Sequence, residues 1–287
     1  MALKEYRIGD NGQYEYDKVQ VAIDRLRMFE PIALEFDPEH GYYLCDSGGK
    51  DSSVIKELAR MAGIKFAIHH SHTTLDYPET VYFVRRERDR WQEMGYEYDI
   101  DYPKETFWQL ARRKGMLPLR QARYCCEVLK ERGGRDKFCI TGVRWAESVM
   151  RKANRGIAEV QGKRKGEGLI LLNDNSDARK EVETCQRKGK RVLNPIIDWS
   201  DEDVWEFLER FEIPINPLYR MGYKRVGCML CPFASAKEKR KAIEQIPGLK
   251  IRALHLCRDI IEDRKEKGLP EIRHNTPEAY LENWIKG

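Results

Sequence analysis

No stretch of this 287-residue chain stays apolar for the ~20 positions that a membrane-spanning helix needs. The N-terminus, Met1-Ala2-Leu3-Lys4-Glu5, lacks the apolar core of a secretory leader. These absences make the cytoplasm the expected compartment and a membrane partner unexpected. Eight cysteines are then expected as thiols or metal ligands, not as a disulfide framework. Internal repeats are also missing, which excludes a solenoid or propeller. The one Gly-Lys pair that follows a strand-like run has no glycine five residues before it, which excludes a Walker A loop.

What is present is Ser47-Gly48-Gly49-Lys50-Asp51-Ser52. It follows the apolar run Tyr42-Tyr43-Leu44-Cys45 and precedes a helical pattern that ends near Ala62. Strand, glycine-rich turn and helix start together make a phosphate cradle. Glycines let backbone N–H groups approach an anion, and the helix N-terminus adds positive potential. Lys50 adds a point charge, and Asp51 is a candidate to hold Mg²⁺ against the phosphates.

The alternation continues along the chain. Residues 65–69, 96–100 and 138–141 read as strands, and 79–94 and 106–113 as helices, with Pro78 at a first helical position. This predicts an α/β fold with a doubly wound, mostly parallel sheet. In such sheets ligands bind at the carboxyl ends of strands. Residues 1–40 read as an N-terminal extension containing a helix, 41–232 as a nucleotide-binding domain, and 233–287 as a helical C-terminal region. Ser200 reads as a helix cap with Asp203 at the third position, and Pro247-Gly248 as a helix break.

Residues 151–191 carry twelve Lys/Arg and six Asp/Glu, a net of +6, more than the +5 of the whole chain. This basic insertion is a candidate nucleic-acid surface or a solvated lid. After the fourth strand, Thr141-Gly142-Val143-Arg144 with Glu147, Ser148 and Arg151 suits an oxyanion or, alternatively, a salt-bridged surface helix. Thr73 to Thr80, with Asp76 and Glu79, is either a contact to nucleotide and metal or a capped connection.

Cys125-Cys126 and Cys228-Met229-Leu230-Cys231 offer four thiolates. Adjacent residues rarely both reach one small tetrahedral ion, so a zinc site is a poorer fit than a [4Fe–4S] cluster with separate iron corners. Zinc, or free thiols acting as a redox pair, remain the alternatives. Cys45 and Cys139 lie in strand patterns and read as small hydrophobes. Cys185 and Cys257 also read as structural, without a strand pattern to support it.

SGGKDSS at 47–53, TTLDYPET at 73–80, RYCCEVLK at 123–130, TGVRWAES at 141–148 and the block from Asn194 to Pro232 resemble the phosphoadenosine phosphosulfate reductase family of PP-loop proteins. The resemblance implies an adenine nucleotide α-hydrolase-like fold. It implies adenine-nucleotide binding by Ser47, Gly48, Gly49, Lys50, Asp51, Ser52, Asp76, Glu79, Thr141, Gly142, Arg144 and Arg151, with Lys50, Asp51 and Arg144 as catalytic candidates. Cys125, Cys126, Cys228 and Cys231 resemble the cluster ligands of the adenylylsulfate branch. Sulfonucleotide reductases carry a nucleophilic cysteine in the C-terminal tail, whereas no cysteine follows Cys257 here. Their loops also tend to lack the lysine. The intact loop instead resembles ATP-using members, such as the sulfur-inserting enzyme of DNA phosphorothioation.

The expectation is therefore ATP cleavage to AMP and pyrophosphate, linked to sulfur transfer through the cluster. A sulfonucleotide reductase and a nucleic-acid-binding accessory protein are the alternatives. A homo-oligomer is an open partner state.

Overall fold

The computed structural model of the chain describes residues 3–9, 12–131, 133–161, 169–172 and 190–287. Two compact units take turns along the sequence. The first comprises Met1–His70, Tyr82–Ile100 and Gly133–Val226; the second comprises Ser71–Val81, Asp101–Arg132 and Gly227–Gly287. The units are thus interleaved, where the sequence reading had three consecutive segments.

The first unit begins with an antiparallel hairpin, β1 (Lys4–Gly9) and β2 (Gly12–Asp17). Sequence reasoning missed this hairpin. Asp17 then caps α1 (Lys18–Phe36) by accepting the Val19 N–H at 2.9 Å and the Gln20 N–H at 3.1 Å. A seven-stranded sheet follows. Its strands are β3 (Tyr42–Asp46), β4 (Phe66–Ser71), β5 (Tyr98–Asp101), β6 (Phe138–Ile140), β7 (Ala158–Gln161), β8 (Leu169–Leu172) and β9 (Lys190–Leu193). They lie in the order β5-β4-β3-β6-β9-β7-β8. β3 runs parallel to both β4 and β6, and β6 runs parallel to β9. β7 is antiparallel to β9 and to β8.

Helices α2 (Lys50–Ala62), α3 (Pro78–Glu93) and α7 (Asp201–Arg210) follow β3, β4 and β9. A short helix α6 (Val149–Asn154) follows β6. The core is apolar and closed: Phe29, Tyr42, Leu44, Val54, Ile55, Leu58, Ile68, Phe138, Ile140 and Leu193 are fully buried. From β3 the chain moves outward through β4 and β5. It then returns to β6 on the other side and continues to β9. This is the doubly wound, mostly parallel sheet that the sequence predicts, with its switch point between β3 and β6.

Part of the basic stretch 151–191 is therefore sheet, because β7, β8 and the start of β9 fall within it. Residues 162–168 and 173–189, Cys185 among them, lie outside the described residues.

The second unit is helical. It contains α4 (Phe107–Lys114), α5 (Tyr124–Leu129), α8 (Ala236–Gln245), α9 (Leu249–Glu266) and α10 (Pro277–Lys286). Arg112 of α4 reaches Asp263 of α9 at 2.9 Å. Buried Lys239 of α8 donates to the Trp284 carbonyl of α10 at 2.9 Å. Gly248, at φ 75°, makes the break between α8 and α9. Among the described residues no helix is long and apolar enough to cross a membrane.

Candidate functional site

β3 ends on Asp46, and the loop turns at once. Gly48 adopts φ 69°, a left-handed conformation that favours glycine. Its N–H donates to Asp46 Oδ1 at 2.7 Å, and its carbonyl accepts from Asn216 Nδ2 at 3.0 Å. Ser52 Oγ accepts the Gly49 N–H at 3.1 Å and lies 3.3 Å from Ser47 Oγ. A side chain at Gly49 would crowd both Ser47 Oγ and Tyr219 Oη at 3.3 Å. Tyr219 Oη accepts the Lys50 N–H at 2.8 Å. Burial pushes the Tyr219 phenol up to about 12, so it stays neutral.

Beneath the loop lies a buried ionic pedestal. Lys56 Nζ is 2.9 Å from Asp46 Oδ2 and 3.1 Å from Glu87 Oε2, and Tyr98 Oη also donates to Asp46. The Lys56 and Asp46 side chains are fully buried. Burial works to raise the Asp46 carboxyl, but the adjacent Lys56 ammonium holds it well below the usual carboxylate range. Asp46 thus stays ionised and fixes the Gly48 N–H.

β6 brings the second half of the site. Thr141 Oγ1 donates to Asn194 Oδ1. Gly142 passes so near α2 that a Cβ there would lie 3.0 Å from the Asp51 backbone. Arg144 is 1% exposed. Its Nε donates to Asp51 Oδ1 at 2.7 Å, its Nη1 to the Trp199 carbonyl at 3.2 Å, and its Nη2 to Asp201 Oδ1 at 2.6 Å. Lys50 Nζ lies 3.2 Å from Asp51 Oδ2 and 3.1 Å from Asp201 Oδ1. Burial works to raise the Asp201 carboxyl, and the hydrogen bonds from Arg144 and Lys50 bring it below its ordinary value. Two cations and two carboxylates therefore meet at the carboxyl ends of β3 and β6, at the switch point.

Of the residues named from sequence, the structure gathers Ser47 to Ser52 with Thr141, Gly142 and Arg144. Arg151 lies in α6, and its side chain is outside the described residues. Asp76 lies in the second unit, next to one of its cysteines. It forms an antiparallel β-bridge with Cys228, and its carboxylate accepts the Thr73 N–H at 2.7 Å. Glu79 is the second residue of α3, with a buried Oε2 that has no hydrogen-bond partner among the described residues.

Sequence reasoning missed Asp46, Lys56, Asp201, Asn216 and Tyr219. Asp46 and Asp201 were visible only as a strand-end acid and a first-turn helix acid. Asn216 and Tyr219 lay in the quoted Asn194–Pro232 block with no local signal of their own.

In the second unit, α5 carries Cys125 and Cys126. With Cys228 and Cys231 they line one cavity of about 40 Å³. Thr73, Leu75, Phe107 and Lys130 complete much of its wall. Thr73 Oγ1 is 3.4 Å from Cys228 Sγ, and the Cys231 N–H donates to the Cys228 carbonyl at 3.2 Å. The hydrogen bond from Cys125 lowers the Cys126 thiol below its ordinary value, while Cys125 rises correspondingly. The Cys228 sulfur raises Lys130.

Among the described residues no three of these sulfurs lie within 4.8 Å of one another. Four thiols around one cavity are a donor set that a metal ion or an iron–sulfur cluster can take. Cys139 is buried in β6, and Cys45 is half-buried in β3. Cys257 is fully buried in α9, with its thiol pushed up to about 12 by burial.

Residues 42–234 match the phosphoadenosine phosphosulfate reductase domain family. The chain belongs to this family. It is 26% identical over 244 residues to an uncharacterised protein of Methanocaldococcus jannaschii, covering 79% of this chain and 52% of that one. It is 25% identical over 180 residues to the adenosine 5'-phosphosulfate reductase of Burkholderia cepacia, covering 59% and 60% of the two chains. The chain spans about half the length of the curated relatives it matches. Among solved structures it is similar to the phosphoadenylyl-sulfate reductase of Candida auris, with TM-score 0.46 and 16% identity, covering 77% of this chain and 96% of that one.

Proposed function

We propose that this member of the phosphoadenosine phosphosulfate reductase family binds ATP and cleaves it to AMP and pyrophosphate to activate a substrate, in a reaction linked to sulfur transfer. The observation that carries the reading is Lys50. It stands as the first residue of α2 in an intact glycine loop, with Arg144 brought alongside from β6. A reductase has no triphosphate to hold and no need of that lysine.

In the proposed reaction a substrate oxygen attacks the α-phosphorus and a new P–O bond forms. The α–β bridging bond breaks and its electron pair leaves with pyrophosphate; a sulfur nucleophile, or water in its absence, then displaces AMP from the adenylated substrate. Ser47, Gly48, Gly49, Lys50 and Ser52 would hold the β and γ phosphates. Asp51 would hold Mg²⁺, which neutralises phosphate charge. Thr141, Gly142 and Arg144 would face the α-phosphate and its acceptor, with Arg144 stabilising the developing charge. Cys125, Cys126, Cys228 and Cys231 would hold a [4Fe–4S] cluster, which supplies electron-transfer or sulfur-handling capacity when bound.

The test is ATP turnover by wild type and Lys50→Ala. Loss of AMP formation in the variant is expected; unchanged turnover would sink the reading.

The similarity to the Burkholderia cepacia enzyme favours a second reading, sulfonucleotide reduction. Cys257 is an unsuitable nucleophile for it, being fully buried and protonated at neutral pH. That reading therefore needs a nucleophilic thiol other than Cys257. Sulfite release from adenylyl sulfate and a dithiol, without ATP, would establish it in place of the first.

A further inference from the structure

The cation of the glycine loop and the one that follows β6 converge on one oxygen. Asp201 Oδ1 lies 2.6 Å from Arg144 Nη2 and 3.1 Å from Lys50 Nζ. Arg144 is locked from two other directions, by Asp51 and by the Trp199 carbonyl. The Asp201 side chain, in contrast, is 63% exposed. Its backbone is fixed as the first residue of α7, and Ser200 caps that helix through Asp203. The carboxylate is therefore the one member of the quartet that can turn away without unpacking the core.

A single oxygen shared by a guanidinium and an ammonium is the arrangement that a phosphate oxygen adopts between the same groups. Lys50, Arg144, Asp51 and Asp201 together carry no net charge. Without Asp201 they carry one positive charge, which is what attracts a polyanion. We infer that Asp201 Oδ1 occupies the place of an anionic phosphoryl oxygen of the substrate. Asp201 is then a positioning residue. It holds Lys50 and Arg144 converged while the site is free of nucleotide, and the incoming phosphate displaces it. The inference rests on the proposed nucleotide reading and adds which two groups clasp the phosphoryl oxygen.

The test is titration calorimetry with inorganic pyrophosphate, without divalent cation, on wild type, Asp201→Asn and Asp201→Glu. Asp201→Asn is expected to bind about tenfold more tightly, because a charged competitor has gone. Its ligand-free thermal midpoint is expected to fall at the same time, since α7 loses an acid from its first turn. Tighter binding by a less stable protein separates competition with the anion from a loss of helix stability alone. Asp201→Glu is expected to stay near wild type. Binding by Asp201→Asn alone, with wild type below detection, also supports the inference. Equal or weaker binding by Asp201→Asn beside a binding wild type overturns it. So does a loss that appears only when Mg²⁺ is added, which makes Asp201 a metal ligand. If neither protein binds pyrophosphate, the nucleotide reading itself fails and takes this inference with it.

Discussion

Arg144 Nε donates to Asp51 Oδ1 at 2.7 Å, tying the chain after β6 to the first turn of α2 across 93 residues of sequence. Through that bond two separate strand ends become one site. Arg144→Lys keeps the charge but not the fork that reaches Asp51, Trp199 and Asp201 together. We expect AMP formation from ATP to fall about 100-fold, in the range of losing an oxyanion donor. Turnover within twofold of wild type would contradict the role given to Arg144.

The pedestal under the loop gives a prediction of opposite sign with pH. In wild type the folded-state pKa of Asp46 is depressed by Lys56. Its contribution to stability is therefore present above the unfolded carboxylate value of ~3.9 and is lost as pH falls through and below it. Lys56→Met leaves Asp46 and Glu87 buried without this cation and should cost roughly 3–5 kcal/mol at pH 7. The variant's Asp46 pKa then lies above its unfolded value, so acidification from pH 7 to 5 should recover part of the loss. Urea unfolding at both pH values measures this. A variant that loses further stability on acidification would refute the account of the pedestal.

Gly142 and Gly227 make a matched pair for the close approach at Asp51. A Cβ at Gly142 would lie 3.0 Å from the Asp51 backbone, whereas no described residue lies within 4 Å of one at Gly227. Gly142→Ala should lose roughly 1–3 kcal/mol through overpacking and weaken nucleotide binding. Gly227→Ala should leave stability within about 0.5 kcal/mol. Equal effects in the two variants would show that the loop does not depend on this approach.

The four cysteines make a compositional prediction. Anaerobically purified protein should carry about four irons per chain and a shoulder near ~400 nm. Cys126→Ser and Cys231→Ser should each lose most of the iron, and Cys45→Ser should keep it. One zinc per chain, unaffected by Cys126→Ser, would rule the cluster out.

Much of this was legible in the sequence because it is local. The strands near 42–46, 66–71 and 138–140 and the helices after them are written in periodicity, and Pro78, Ser200 and Gly248 punctuate as their chemistry dictates. The first hairpin was not legible, since Tyr6, Ile8 and Tyr14 are exposed and Tyr16 alone is buried among the described side chains of its two strands. Asp201, Asn216 and Tyr219 were equally opaque. Each acts through a partner more than fifty residues away, and nothing in its own neighbourhood reveals that partner. Asp76 was opaque for the same reason, since its bridge partner is Cys228.

The central claim is cleavage between the α and β phosphates of ATP. The most direct measurement follows the fate of α-labelled ATP with anaerobically purified protein and Mg²⁺, resolving AMP, ADP, pyrophosphate and phosphate. The account predicts AMP and pyrophosphate in equal amounts, abolished by Lys50→Ala. Formation of ADP and phosphate, or the same AMP yield from Lys50→Ala, would contradict it.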